Sequence, residues 1–243
     1  MTRGRDGRSC SRAYDSSWLT VGAALRGRPF VRSAGGHEVP PLQNMPRKII
    51  VHIATSADGF IARKDGAFDW LDRPRTAGDY GMAAFYKTID AVLWGRKTYD
   101  LAVAMMGGTG MGSKIKNYVF THNPPAKAPK TVKFVNEPIK DFAARLRKQK
   151  GKDIWMMGGG VVIASFLDAG EIDEFVISVI PIFIGEGIPL IAPRHRNVEL
   201  ELLESHAYKD GVVKLHYKVL GFRSSAFGKT KTKDQRPKTK KST

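Results

Sequence analysis

Ile154-Trp155-Met156-Met157-Gly158-Gly159-Gly160-Val161-Val162 sets four apolar residues, three glycines and a second apolar run in sequence. The apolar quartet reads as a buried strand, and the run after Gly160, up to Ala169-Gly170, reads as a helix. Three glycines cost more backbone entropy than a plain flexible turn needs, so a ligand's close approach to that backbone is the stronger explanation. The helix start beside them offers unpaired N–H groups and the positive end of a dipole, which together make an anion site. About sixty residues earlier, Val92-Leu93-Trp94-Gly95-Arg96-Lys97-Thr98 repeats the device. Arg96 and Lys97 oppose the helix dipole there, and a bound anion is what would make them favourable. The chain has neither a single G-x-G-x-x-G turn nor a G-x-x-x-x-G-K-[ST] loop at these places, so a phosphate grip would be divided between two helices. Two parts of one polyphosphate, as in a dinucleotide, would satisfy both.

Outward from these segments, β-type and helical runs alternate from Arg47 to residue 221, the rhythm of an α/β domain. Strands are expected at Lys48–Thr55, Ala91–Trp94, Asn117–Thr121, Val132–Val135, Ile154–Met157 and along Glu174–Ile184. Helices are expected at Tyr80–Thr88, from Lys97 to Ala104, and at Pro138–Lys148 with Pro138 in the first position. Glu199–Tyr208 and Val212–Leu220 read as a hairpin across Asp210-Gly211. The order implies a mostly parallel sheet flanked by helices and ending in an antiparallel hairpin. Thr121-His122-Asn123 then falls at the carboxyl edge of the sheet, where open α/β sheets bind ligands.

The 243 residues suit one domain with tails, and the formal charge of +17 is unevenly spread. Residues 1–44 carry seven Arg against three acids, and residues 222–243 carry eight Lys or Arg against Asp234. The extreme basicity therefore belongs to the ends, and a nucleic-acid function read from total charge would misplace it. Both ends are expected to be disordered, leaving 45–221 as the domain; the basic tail is a solvated segment, with weak, salt-sensitive contact with nucleic acid or acidic surfaces as the alternative. The stretch Trp18–Leu25 is too short for a membrane span and lacks a secretory core. Met45 before the first strand reads as a natural start, with an organelle-targeting peptide as the alternative for what precedes it. Cys10 is the single cysteine, so no disulfide, thiolate metal cluster or core catalytic thiol can be built, and a reducing, cytoplasmic setting is the default. No metal site is expected.

Five segments in order carry a resemblance: Ile50 to Ala62 around Asp58-Gly59, Leu93 to Tyr99, Val119 to Pro124, Ile154 to Gly160, and Ile172-Asp173-Glu174 with Gly185-Glu186-Gly187. They resemble the dihydrofolate-reductase-like superfamily, and most of all the reductase domain of the bifunctional riboflavin-biosynthesis deaminase-reductase and its stand-alone relatives. The similarity spans about 46–221. It implies a dihydrofolate-reductase-like fold, NADPH as cofactor, and reduction of a small heterocycle, with 5-amino-6-(5-phosphoribosylamino)uracil ahead of folate. It also implies a homodimer through the late strands. The deaminase half, with its H-x-E and P-C-x-x-C zinc ligands, is missing.

Carried over by the resemblance, Ala54 and Ile61 would face the nicotinamide. Gly95, Arg96, Lys97 and Thr98 would take the adenosine-side phosphates, and Thr121, His122 and Asn123 would sit near the adenosine ribose. Gly158, Gly159, Gly160, Val161 and Val162 would wrap the pyrophosphate. Many relatives have Arg where this chain has His122, so a 2′-phosphate would lean on Arg96 or Lys127 instead. Reducing a C=N bond needs a proton, and the place of the folate-reductase acid falls on Asp79, which reads equally well as a helix N-cap. Ser178 would be its hydroxyl partner, and Asp58 belongs to the turn after the first strand. A nucleotide-binding protein without turnover is the alternative from another class.

Overall fold

The computed structural model describes residues 46–74, 78–106, 114–127 and 129–222. Its strands are β1 (Ile49–Ser56), β2 (Phe60–Ala62), β3 (Ile89–Gly95), β4 (Lys116–Phe120), β5 (Val132–Val135), β6 (Asp153–Gly158), β7 (Glu174–Ile180), β8 (Ile188–Pro189), β9 (Val198–Ala207) and β10 (Val213–Phe222). Its helices are α1 (Met82–Thr88), α2 (Arg96–Met106), α3 (Ile139–Arg147) and α4 (Gly160–Asp168). Eight strands form one sheet in the order β5-β4-β3-β6-β1-β7-β10-β9. Pairing is parallel from β5 to β7 and antiparallel from β7 through β10 to β9, as the order of elements implied. The readings for residues 1–44 and 223–243, Cys10 among them, lie outside the described residues.

Period-2 alternation explains how the sheet is covered on both sides. Ile49, Val51, Leu93, Ile154 and Met156 point to one face and pack with Phe142 and Leu146 of α3 and Ile163 and Phe166 of α4. Val92, Trp94 and Trp155 point to the other, where Tyr99 of α2 and Met82, Phe85 and Tyr86 of α1 meet them. The central strands can therefore be apolar throughout, which is how β3 and β6 were recognisable as continuous hydrophobic runs. Helix α1 is the thinnest cover: it has no fully buried residue.

Two boundaries and one strand pair depart from expectation for local reasons. The apolar run from Glu174 leaves the sheet at Ile180 because Pro181 follows, and the chain turns there with Ile182 N–H donating to the Ile180 carbonyl at 2.8 Å. Pro138 precedes α3 with extended backbone instead of opening it, and its carbonyl accepts the Phe142 N–H at 3.0 Å. The short antiparallel pair β2 and β8 was not foreseen, since two and three residues are too few to carry a periodicity. None of the described helices is long and apolar enough to cross a membrane.

Candidate cofactor and substrate site

The two glycine turns meet. Because β3 lies beside β6 with Trp94 opposite Gly158, the starts of α2 and α4 stand side by side at the carboxyl edge of the sheet. A methyl group on Gly95 would lie 3.4 Å from both the Gly158 carbonyl oxygen and the Gly159 nitrogen, and 3.3 Å from Val162 Cγ1. On Gly159 it would lie 3.1 Å from Thr98 Oγ1 and 3.9 Å from Ile61 Cδ1. The chain thus brings Ile61, Gly95, Thr98, Gly158, Gly159 and Val162 into one small area. The Gly158–Gly159 peptide is cis, and Gly158 has φ 116°, a left-handed conformation that favours glycine. Val161, at the first turn of α4, is 74% exposed, an apolar side chain standing open beside the glycine turn.

Gly160 has a reason of its own. A Cβ there would collide with the Pro189 carbonyl oxygen, and the Gly160 carbonyl accepts the Ala192 N–H. The third glycine of the triplet is therefore required by the loop after β8 whether or not a ligand is bound.

At the far side of α2, Arg96 joins the helix start to the β4 turn: its guanidinium donates to Asp100 at 2.8 Å and to the Asn123 carbonyl at 3.3 Å. Thr121 Oγ1 accepts the Asn123 N–H at 3.2 Å and so shapes this turn. His122, Asn123 and Lys97 are exposed. Arg96 shares its charge with Asp100, an exposed i, i+4 pair of small energetic weight that an incoming phosphate can displace.

Ala54 ends the accessible part of β1 and contacts the cluster of Trp70, Tyr80, Ile180 and Val212. Register places it opposite Ser178 on β7, and Ser178 is in turn opposite Lys214 on β10. Asp58 holds the loop above: its carboxylate accepts the Gly185 N–H at 2.7 Å and the Ile184 N–H at 3.2 Å. The hydrogen bond with Ser56 and these amides hold the Asp58 carboxyl below its usual range. It is a turn residue, as read, whose turn closes across 126 positions of sequence.

Asp79 is exposed and accepts the Gly81 N–H at 3.0 Å and the Ala83 N–H at 2.7 Å. The amide of Ala83 first, then that of Gly81, keeps its carboxyl below the usual carboxylate value despite partial burial. The N-cap position of α1 is Gly81, two residues later than the N-cap reading placed it, and Asp79 braces the helix start from outside through the Gly81 and Ala83 amides. No described hydrogen bond joins Asp79 to Ser178, whose neighbours across the sheet are Ala54 and Lys214.

The sequence reading gave no role to His52, His216 or Lys214. His52, 8% exposed on β1, stacks on Phe85 of α1 with centroids 4.5 Å apart. Burial, then the charges of Lys214 and His216, push its pKa down to about 4. His216 meets Glu174 at 2.9 Å, and Lys48 meets the same carboxylate at 2.7 Å. Burial works to raise the Glu174 pKa, yet these two hydrogen bonds outweigh it and hold the carboxyl down. The alternation in Val213-Lys214-Leu215-His216 was visible, but only the pairing partners of β10 reveal what these side chains face.

Comparison with known proteins follows the same lines. The family described as the RibD C-terminal domain matches residues 47–214. A Bacillus subtilis protein named YwjB, uncharacterised, is 39% identical over 173 residues, covering 71% of this chain and 98% of its own. The crystal structure of a Shewanella sp. PV-4 protein, provisionally named for riboflavin biosynthesis, matches 71% of this chain and 98% of its own, with 29% identity and a TM-score of 0.63. A Thermotoga maritima diaminohydroxyphosphoribosylaminopyrimidine deaminase/5-amino-6-(5-phosphoribosylamino)uracil reductase shares the fold, with a TM-score of 0.56 and 15% identity over 72% of this chain and 57% of its own.

Proposed function

This chain belongs to the RibD C-terminal domain family, and we propose that it is an NADPH-dependent reductase of a small heterocycle, of the 5-amino-6-(5-phosphoribosylamino)uracil type. The observation that carries the reading is the meeting of Gly95 with Gly158-Gly159 beneath two helix starts, with Ile61 and Thr98 at the same place. Two dipole ends and two stretches of accessible backbone at one sheet edge suit a ligand with two phosphates and an extended body. In this reading Gly158, Gly159 and Val161 face the pyrophosphate, Arg96, Lys97 and Thr98 the adenosine side, and Thr121, His122 and Asn123 the ribose. Ala54 and Ile61 bound the place of the nicotinamide, which when bound supplies the hydride; Gly160 and Val162 support the turn. The substrate enters over the open face of β1 and β7, beneath α1. A cytoplasmic setting and a homodimer belong to the same reading.

NADPH titration followed by a turnover screen tests it. Binding together with oxidation of NADPH by the aminouracil ribotide is the expected result; turnover with dihydrofolate instead would make the chain a folate reductase. NADPH binding without turnover on any pterin or aminouracil would favour the non-catalytic reading, and failure to bind NADPH or NADH would remove the assignment.

A further inference from the structure

We propose that Lys214 and Ser178 form an anion-recognition pair in the substrate half of the site, so that the substrate carries a negatively charged oxygen at that point. The inference rests on the reductase reading for its location and deepens it by naming what β10 contributes.

Directly paired residues of neighbouring strands project from the same face of a sheet. Ala54, Ser178 and Lys214 are paired in that way and therefore form one row across β1, β7 and β10. The next row, His52, Val176 and His216, identifies the face: His52 stacks on Phe85 of α1. Lys214 reaches back under the start of that helix, where its ammonium lies 3.6 Å from the position a Cβ on Gly81 would occupy. Strands about 4.8 Å apart put the backbone of Lys214 about 10 Å from that of Ala54, a gap that a lysine stem partly closes.

Among the described residues, Lys214 has neither an ion-pair partner nor a hydrogen bond, and Ser178 Oγ, on a residue 6% exposed, has no hydrogen bond. Three nearby acids are engaged, Glu174 by Lys48 and His216, Asp79 by two backbone amides, and Asp210 by the Tyr80 hydroxyl, while Glu204, opposite His216 on the edge strand β9, is exposed to solvent. Half-buried charges are ordinarily paired, because desolvation costs them more than exposed charges. An ammonium in the same strand row as an unused hydroxyl, with no carboxylate within ion-pair distance among the described residues, is complementary to an anionic oxygen such as a carboxylate or a phosphate. The lowered pKa of His52 is consistent with this placement: burial is its main cause, and the charge of Lys214 adds to it.

Calorimetric titration of the full chain, with and without NADPH, against two matched pairs tests the proposal: orotate with uracil, and ribose 5-phosphate with ribose. At least one charged member should bind roughly ten- to a hundredfold tighter than its neutral partner, the weight of one charge-assisted hydrogen bond. Lys214→Met should abolish that preference, Lys214→Arg should retain part of it, and NADPH affinity should not move. The responding pair tells carboxylate from phosphate. Wild-type protein without preference in either pair, or a preference that survives Lys214→Met in a protein of unchanged circular dichroism, would overturn the proposal. Loss of the preference in Lys214→Met alongside a wild type that does not bind NADPH would sustain the anion pair and remove the cofactor reading.

Discussion

Gly95 and Gly159, 64 positions apart in sequence, approach so closely that a methyl group on the first would sit 3.4 Å from the amide nitrogen of the second. Neither turn has this geometry alone. It arises because two parallel strands that each end in glycine became neighbours, and it joins the starts of α2 and α4 into one surface.

Gly159→Val should therefore weaken NADPH by at least about tenfold. Its Cβ would press on Thr98 Oγ1 at 3.1 Å, and its branches would stand over the backbone that a phosphate must reach. Cofactor fluorescence titration measures the effect; an unchanged Kd in a folded variant would remove the pyrophosphate assignment.

Asp79→Ala should lower stability by about 1 kcal/mol through loss of the two amide contacts at the start of α1. Because the folded carboxyl is held below its ordinary value, its contribution is present at neutral pH and fades as acid protonates it. Asp79→Asn should keep turnover within a few-fold of wild type, as a cap would. A fall of roughly 10²–10⁴ without change in NADPH affinity would instead assign Asp79 the proton.

His52 predicts an acid-sensitive fold. Its pKa is about 4 when folded against 6.5 in its ordinary state, so the unfolded chain binds more protons between those values. Stability is then complete above about pH 6.5 and declines as pH falls toward 4, by on the order of 3 kcal/mol. Urea denaturation of wild type and His52→Phe across that window measures it: the substitution should flatten the slope, and an equal slope in both would refute the attribution.

The edge strand β9 exposes Leu200, Leu202 and Leu203 by 43%, 53% and 47%, and Leu220 of β10 by 55%. An open strand edge with apolar side chains is a template for association. Light scattering should give a dimer mass for the whole chain, and Leu202→Glu should shift it toward the monomer. A wild-type mass of one chain at every concentration would dispose of the dimer.

The sequence by itself determined the α/β rhythm, the late hairpin and the two strand–glycine–helix turns. These are local: an apolar run, a glycine and a helix start lie within ten residues, and their periodicity needs no partner to be read. It left open whether Asp79 was an acid or a cap, and it passed over His52 and Lys214 altogether. Their meaning depends on neighbours distant in sequence: Lys214 matters because β10 pairs with β7 and β7 with β1, setting it in one row with Ser178 and Ala54. Gly160 teaches the same lesson in reverse, since the carbonyl that excludes its side chain comes from Pro189. Strand pairing and register are decided by which faces are buried across the whole sheet, and a side chain's chemistry follows from what that burial sets beside it.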